Sequence, residues 1–267
     1  VFFLVPLVLS IAFSFTNYDG WKTMDFVGLT NYITLFKDSK FYLSLGRTLL
    51  YTVCTLPFRV IIPLLVAVLL CSKRVAGKSL TRTMVYIPVL MSALVVGITI
   101  NWMFSQEYGL VNFIIRSLGG TALEWSLNPR LATFVIAFAS VWASIGFNMI
   151  LYIGGINSIS NDLYEAATID GASGVQAFFR ITVPMLAPTT FMVVLLSTVN
   201  LLKEYALVQG ITQGGPGLST TFIIQYIFDK GFNQMQYGYA SAISTVVMII
   251  FALIAFAQFK VNNGGET

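Results

Sequence analysis

The side chains best suited to chemistry form a short polar stretch in an otherwise apolar chain. Three carboxylates, Asp162, Glu165 and Asp170, fall within nine residues, and the 267-residue sequence contains no histidine. Histidine is the most frequent general base and metal ligand, whereas carboxylates pair readily with arginine on a partner surface. The stretch therefore indicates binding rather than catalysis, and no catalytic or metal site is predicted.

A second group of polar side chains lies within apolar segments. Polar residues at such positions often mark a transport path through a membrane. The candidates for such a path are Trp142, Asn148, Asn200, Glu204 and Tyr205. Hydrogen bonding between helices is the alternative role for the two asparagines.

Three charged residues also lie in or beside these segments. Arg59 falls between Pro57 and Pro63, and Lys203 and Glu204 lie toward the end of another segment. Lys203 is long enough to reach the membrane surface. For Arg59 and Glu204 two roles stay open, which are an ion pair with each other and contact with a substrate.

The amino-acid composition indicates that these residues are held by membrane-spanning helices. The chain is 57% apolar and only 10% charged, against about 25% charged in soluble domains. A membrane-spanning helix needs about 20 apolar residues. Six stretches approach that length, at 1–15, 48–71, 83–104, 131–153, 188–208 and 239–259. We predict an all-α, multi-pass bundle of about six spans.

The chain is expected to form one transmembrane domain over residues 1–267. Because Val1 already lies inside an apolar run, we expect the sequence to enter its first span partway. The loop after the second stretch carries four basic residues and no acid, which places it in the cytoplasm. These residues are Lys73, Arg74, Lys78 and Arg82. Alternation of the spans then places residues 154–187 in the cytoplasm.

This cytoplasmic segment is predicted to be a helix-turn-helix. Asp162 is the expected N-cap, with Glu165 closing a capping box. Gly171 is expected to break the helix, and Val175 to Phe179 to form a second one, ended by Pro184. An amphipathic helix resting on lipid would be rich in lysine and arginine, so the acidity of this segment favours docking of another protein.

The same segment carries the strongest family resemblance. Residues Tyr164 to Pro184 resemble the EAA loop of ABC importer permeases, including Glu165, Ala166, Ala167, Asp170 and Gly171. Further similarities, to carbohydrate-uptake permeases of the maltose and glycerol-phosphate type, run from the first loop to the last span. They lie at Phe26–Tyr32, Ile87–Pro88, Gly109–Asn112, Thr212–Pro216 and Gly238–Ala242.

The resemblance implies a subunit of an ATP-driven sugar importer in a bacterial or archaeal cell membrane. A second permease would complete the path, an external binding protein would deliver the carbohydrate, and two ATPase subunits would each receive an EAA helix. ATP and Mg²⁺ would be bound by those ATPases, with no cofactor in this chain. Separately, the modest net charge of +4 and the lack of a long basic run do not suggest a nucleic-acid partner. In the family Glu165 would contact the ATPase, and Gly171 would permit the turn.

The sequence departs from the family pattern at two positions, and two other classes of membrane protein remain as alternatives. Tyr205-Ala206 replaces the Phe-Asp that often precedes the Gly-Gly-Pro stretch, and Arg47-Thr48 replaces an Asn-Thr pair. Neither departure lies in the EAA loop, so the expected ATPase contact is unaffected. The identity of the substrate stays open, and it need not be a familiar neutral sugar. An ion-coupled transporter would need an internal repeat and buried acids, and a membrane enzyme would need clustered catalytic groups.

Overall fold

The computed structural model describes residues 2, 4–21, 24–72 and 77–263. These residues form helices and one isolated β-bridge, between Thr16 and Phe26, without a β-strand. The α-helices are α1 (Leu4–Phe13), α2 (Thr30–Lys37), α3 (Ser39–Cys71), α4 (Lys78–Tyr86), α5 (Ala93–Met103), α6 (Leu110–Ser117), α7 (Pro129–Asn157), α8 (Asn161–Ile169), α9 (Gly174–Ala177), α10 (Val183–Met185), α11 (Ala187–Leu202), α12 (Ala206–Ile211), α13 (Ile223–Phe228) and α14 (Tyr237–Asn263). The predicted all-α class is confirmed.

Three helices are long and apolar enough to cross a membrane unbroken. They are α3, α7 and the Tyr237–Val261 part of α14. Two further apolar helix pairs are bent, and α1 is a short apolar helix of ten residues. By length and composition, the described residues thus supply three unbroken spans, or up to five if each bent pair crosses once.

The prediction of a continuous third span is wrong. The segment from Lys78 to Leu90 meets α5 at an angle of 102°. Pro88 lies in a 3₁₀ turn at the bend, and Ser92 is extended. Proline lacks the amide hydrogen that an α-helix requires, so the chain turns here.

The fifth span also differs from its predicted bounds. Its helix, α11, begins after a 66° bend and ends at Leu202 rather than near 208. Lys203 has φ −96° and ψ 13°, Tyr205 has φ −140° and ψ −51°, and α12 starts at Ala206. The residues around Glu204 therefore form a break in the helix rather than part of a span.

Two packed regions distinguish the ends of the bundle. At one end, Ala67 and Leu70 of α3 pack with Met149 and Tyr152 of α7 and with Leu186. At the other end, the opposite halves of α3 and α7 pack with α5 and α12. That second core includes Tyr51, Ile100, Val135, Leu207 and Phe222. We call the first the α8 end, because Tyr164 of α8 packs there, and the second the α13 end, because Phe222 caps α13.

Helices α5 and α12 approach closely because each presents a glycine. A Cβ on Gly97 would lie 3.0 Å from both the Gly210 Cα and the Leu207 oxygen. A Cβ on Gly210 would lie 2.8 Å from the Leu94 oxygen. Side chains at either position would push the helices apart, so the glycines hold α12 against the bundle.

Candidate functional site

The predicted helix-turn-helix is present at residues 160–185, which we call the polar hairpin. The N-cap of its first arm, α8, lies two residues before the predicted one. Ser160 is the N-cap, and its hydroxyl accepts a hydrogen bond from the Asp162 amide at 3.2 Å. The prediction that Asp162 is the N-cap is wrong. Asp162 instead lies in the first turn, where a carboxylate favours the positive end of the helix dipole.

The turn of the polar hairpin is a Schellman motif. Gly171 has φ +77°, a left-handed conformation that glycine adopts without Cβ strain. The Ala172 amide donates to the Ala167 carbonyl at 2.8 Å, and the Gly171 amide to the Thr168 carbonyl at 3.1 Å. These bonds satisfy carbonyls that the end of α8 leaves free. The predicted break at Gly171 is confirmed.

The second arm is longer than predicted and carries the capping box. The Ser173 hydroxyl accepts from the Gln176 amide, and the Gln176 side chain accepts from the Ser173 amide. The arm runs from Gly174 through a π-helical turn to Met185. Pro184 does not end the arm, because it lies at the start of the last short helix, where its missing amide hydrogen is tolerated.

The polar hairpin presents an exposed surface of mixed character. All nine residues of α8 are described, and none is buried. Asp162 and Glu165 of α8, Ala166 beside them and Asp170 at the C-cap are exposed, and Ala167 is half-buried. Exposed apolar side chains lie among them, at Leu163, Ile169, Val175 and Phe179. Large apolar groups beside charges are typical of a surface that another protein covers.

One aromatic residue links the two arms to the bundle. The Tyr164 hydroxyl lies 2.9 Å from the hydroxyl of Thr182, which is buried. The Tyr164 ring packs against the core of the α8 end. Tyr164 therefore joins α8 both to the second arm and to the core of the α8 end.

Asn148 forms hydrogen bonds between helices, which was the alternative to lining a transport path. It is buried, and its amide donates to the Arg59 carbonyl at 2.9 Å and to the Ser197 hydroxyl at 3.2 Å. The Arg59 carbonyl is available because position 63, its partner in a regular helix, is proline and has no amide hydrogen. Asn148 thus repairs α3 and ties it to α7 and α11.

Arg59 is also held mainly by α7. Its Nε donates to the Ser140 carbonyl at 3.2 Å and to the Ser144 hydroxyl at 3.1 Å. Its Nη1 is buried and has no hydrogen-bond partner among the described residues. Glu204 lies within electrostatic range, but its carboxylate accepts from the Leu207 amide at 3.3 Å and so caps α12.

The remaining path candidates lie apart from this group. Trp142 packs against the core of the α13 end. Asn200 and Lys203 are exposed, and the Tyr205 ring lies 5.2 Å from that of Phe228. The structure thus brings Asn148 and Glu204 toward Arg59, and it does not join Asn200 or Tyr205 to them.

A polar cluster at the α13 end is absent from the sequence predictions. Asp38, the N-cap of α3, accepts hydrogen bonds from the Tyr226 hydroxyl and, at 2.7 Å, from the Tyr239 hydroxyl. Burial opposes ionisation, but these bonds and two backbone amides outweigh it and lower the pKa of Asp38. The sequence separation of 188 and 201 residues left no local signal for the cluster.

Three residues used in the topology prediction lie outside the described residues. They are Val1 and, in the basic loop, Lys73 and Arg74. Lys78 and Arg82 of that loop lie in α4.

The fold and site together define a multi-pass helical membrane protein with an exposed acidic hairpin at one end. The chain belongs to the family of binding-protein-dependent transport system inner membrane components, which matches residues 27–263. It is thus a permease component of such a transport system.

Several relatives are similar over four fifths or more of their length. The arabinooligosaccharides transport system permease protein AraP of Bacillus subtilis is 32% identical, over 98% of this chain and 84% of the relative. The multiple sugar-binding transport system permease protein MsmF of Streptococcus mutans is 32% identical, over 100% and 91%. The trehalose/maltose transport system permease protein MalF of Thermococcus litoralis is 33% identical, over 89% and 80%.

A solved structure agrees with the fold. It is the crystal structure of a bacterial ABC transporter involved in the import of the acidic polysaccharide alginate. The TM-score is 0.85 at 23% identity, covering 98% of this chain and 90% of that one. At this identity the similarity concerns the fold alone.

Proposed function

We propose that this chain is one permease subunit of an ATP-driven importer that moves a sugar or oligosaccharide into the cytoplasm. The observation that carries the proposal is the polar hairpin, an exposed acidic surface in a chain of the binding-protein-dependent transport family. The names of the relatives, which include arabinooligosaccharide, multiple-sugar and trehalose/maltose systems, support a carbohydrate substrate.

Within this proposal the α8 end faces the cytoplasm, and each of two ATPase subunits receives one hairpin. Glu165 and Asp170 pair with cations on the ATPase, while Ala166 and Ala167 permit close approach. Gly171 shapes the turn that presents them. ATP and Mg²⁺ are bound by the ATPases, and the movement they drive passes through Tyr164 and Thr182 into the bundle.

A second, homologous permease completes the path, and an external binding protein delivers the sugar at the α13 end. Transport then follows alternating access, with rigid helices moving as a body around the path. All residues 1–267 act as one domain, within which 154–187 is the coupling loop.

Charge reversal at the hairpin tests the ATPase contact. We expect Glu165→Lys to lower both uptake and co-purification of the ATPase at least tenfold, because it places a cation against the proposed cations of the partner. Uptake of the labelled sugar is measured in cells, and the subunit ratio is measured after purification.

Glu107→Lys is the matched control, since it reverses an exposed acid in the loop between α5 and α6, outside the polar hairpin. It should leave the ATPase bound. Membrane insertion of both variants is checked by fractionation. Wild-type uptake and ATPase content in Glu165→Lys would refute the docking role.

A further inference from the structure

A polar cleft of about 420 Å³ opens at the α13 end, between the first turns of α3 and the α12–α13 segment. The volume is within the range of small-molecule sites. The side chains that matter here are Lys40, Arg47, Gln209, Gln225, Lys230 and Gln234. Because none of the five sequence-predicted path residues lines this cleft, it is a separate feature of the molecule.

The cleft carries an excess of positive charge. Lys40, Arg47 and Lys230 line it, and among the described residues that line it the single acid is Asp229. The Asp229 carboxylate already accepts bonds from Asn233 at 3.0 Å and from Gln234 at 2.7 Å, within its own turn. Two net positive charges therefore face the cleft, which favours an anionic ligand.

Two of the three cations are held in place. The Lys230 ammonium lies 5.6 Å from the ring centre of Tyr226 and 5.7 Å from that of Tyr239, and both rings are fixed by their bonds to Asp38. Arg47 donates to the Leu218 carbonyl. Cations positioned in advance lose less entropy when a ligand binds.

Amide groups supply the other half of the recognition chemistry. Gln225 donates to Gln209 at 3.4 Å, while its own oxygen is buried and has no partner among the described residues. An amide oxygen accepts a bond from a hydroxyl group, and amide hydrogens donate to one. A ligand with both hydroxyls and a carboxylate satisfies this set.

We propose that this cleft is a binding subsite for an acidic saccharide, with a uronate carboxylate between Lys40 and Lys230 and the hydroxyls on Gln209 and Gln225. The inference rests on the proposed function, whose orientation places the cleft on the outer side. An acidic patch of the binding protein is the competing occupant. A concave site of this volume suits one or two sugar rings better than a protein surface, which buries a far larger area.

The test compares one saccharide in charged and neutral forms. The assembled transporter, without binding protein, is placed in nanodiscs and titrated with trigalacturonate and with its methyl ester, using saturation-transfer NMR. We expect the acid to bind at least tenfold more tightly than the ester. The double variant Lys40→Gln/Lys230→Gln should lose at least tenfold affinity for the acid and stay within twofold for the ester.

Arg116→Gln is the control, because it removes an exposed cation that does not line the cleft. Equal affinity for acid and ester, or an equal loss in Arg116→Gln, would overturn the subsite. So would a double variant that binds the acid normally and loses only stimulation of ATP hydrolysis by the binding protein, since the cleft would then dock protein. If the ATPase is bound and active in these experiments, such a result overturns the subsite and not the proposed function. If no ATPase is bound, the proposed function itself is refuted.

Discussion

Asn148 compensates for a hydrogen bond that Pro63 removes from α3. The Arg59 carbonyl would otherwise be buried without a donor, which costs about 1–3 kcal/mol. The same amide also reaches Ser197 of α11. A single side chain thus fixes three helices around a proline in the middle of a long helix.

Removing this amide should destabilise the fold. We expect Asn148→Leu to lower the free energy of unfolding by about 1–3 kcal/mol, because a buried carbonyl is left unsatisfied. Thermal unfolding of the purified protein in detergent measures the change. Asn200→Leu, at an exposed position, should stay within about 0.5 kcal/mol of wild type.

A second variant isolates the cause. Pro63→Ala restores an amide hydrogen that can bond the Arg59 carbonyl within α3. Asn148→Leu should therefore cost less in the Pro63→Ala background than alone. An equal cost in both backgrounds would show that the proline is not the reason for the bond.

At the level of elements, the polar hairpin depends on how α8 ends. Gly171 directs the chain from one arm into the other, and a Cβ there would meet nothing within 4 Å. The requirement for glycine is thus one of backbone conformation alone. The two bonds of the Schellman motif hold the acids of α8 in a fixed direction.

A side chain at Gly171 should loosen the first arm. We expect Gly171→Ala to cost about 1–2 kcal/mol through left-handed strain and to raise hydrogen exchange over residues 161–172. Gly171→Asn should be milder, since asparagine tolerates this conformation. Mass spectrometry of the exchanged peptides measures both.

Gly154→Ala provides the matched control. Gly154 lies within α7, and its Cβ would likewise meet nothing within 4 Å. Alanine favours a helix interior over glycine, so this variant should not raise exchange in the polar hairpin. If Gly171→Ala also leaves exchange unchanged, backbone strain does not control the turn.

At the scale of the whole molecule, the Asp38 cluster joins parts of the chain that are far apart in sequence. Its carboxylate links the start of α3 to α13 and α14. The tyrosine rings of the same cluster also hold Lys230 in the cleft. Stability of the α13 end and the shape of the cleft therefore depend on one ionised group.

The lowered pKa of Asp38 gives a pH dependence of defined sign. Ionisation stabilises the folded state above the unfolded pKa of about 3.9, and this contribution is lost as pH falls through the lower folded pKa. We expect Asp38→Asn to lower the unfolding temperature at pH 7, with the difference from wild type shrinking below about pH 4. Thermal unfolding across pH measures this.

Glu107→Gln, which neutralises an exposed acid, should show a small difference that changes little over the same range. A difference between Asp38→Asn and wild type that grows as the pH falls would contradict the assignment, because it would require a raised folded pKa.

Much of this protein follows from local sequence. Apolar runs long enough to cross a membrane predict the helices. The break at Gly171 follows because few residues other than glycine adopt a left-handed backbone conformation without strain. The acidic composition of residues 162–170 also predicts an exposed surface. Each of these properties depends on neighbours within a few residues, so the order of amino acids is sufficient to reveal it.

Contacts between distant segments were decided only by the tertiary structure. Asn148 has the same sequence signature whether it lines a path or bonds a carbonyl, and the bond exists because α3 places the Arg59 carbonyl beside it. Likewise Lys40, Arg47 and Lys230 form one positive cleft only because α3 packs beside α13 and the turn that follows it. The sequence by itself determined the all-α class, the three unbroken spans and the polar hairpin. Tertiary structure decided where the third and fifth spans bend and which polar groups meet, because both depend on helix rotation and packing rather than on residue type.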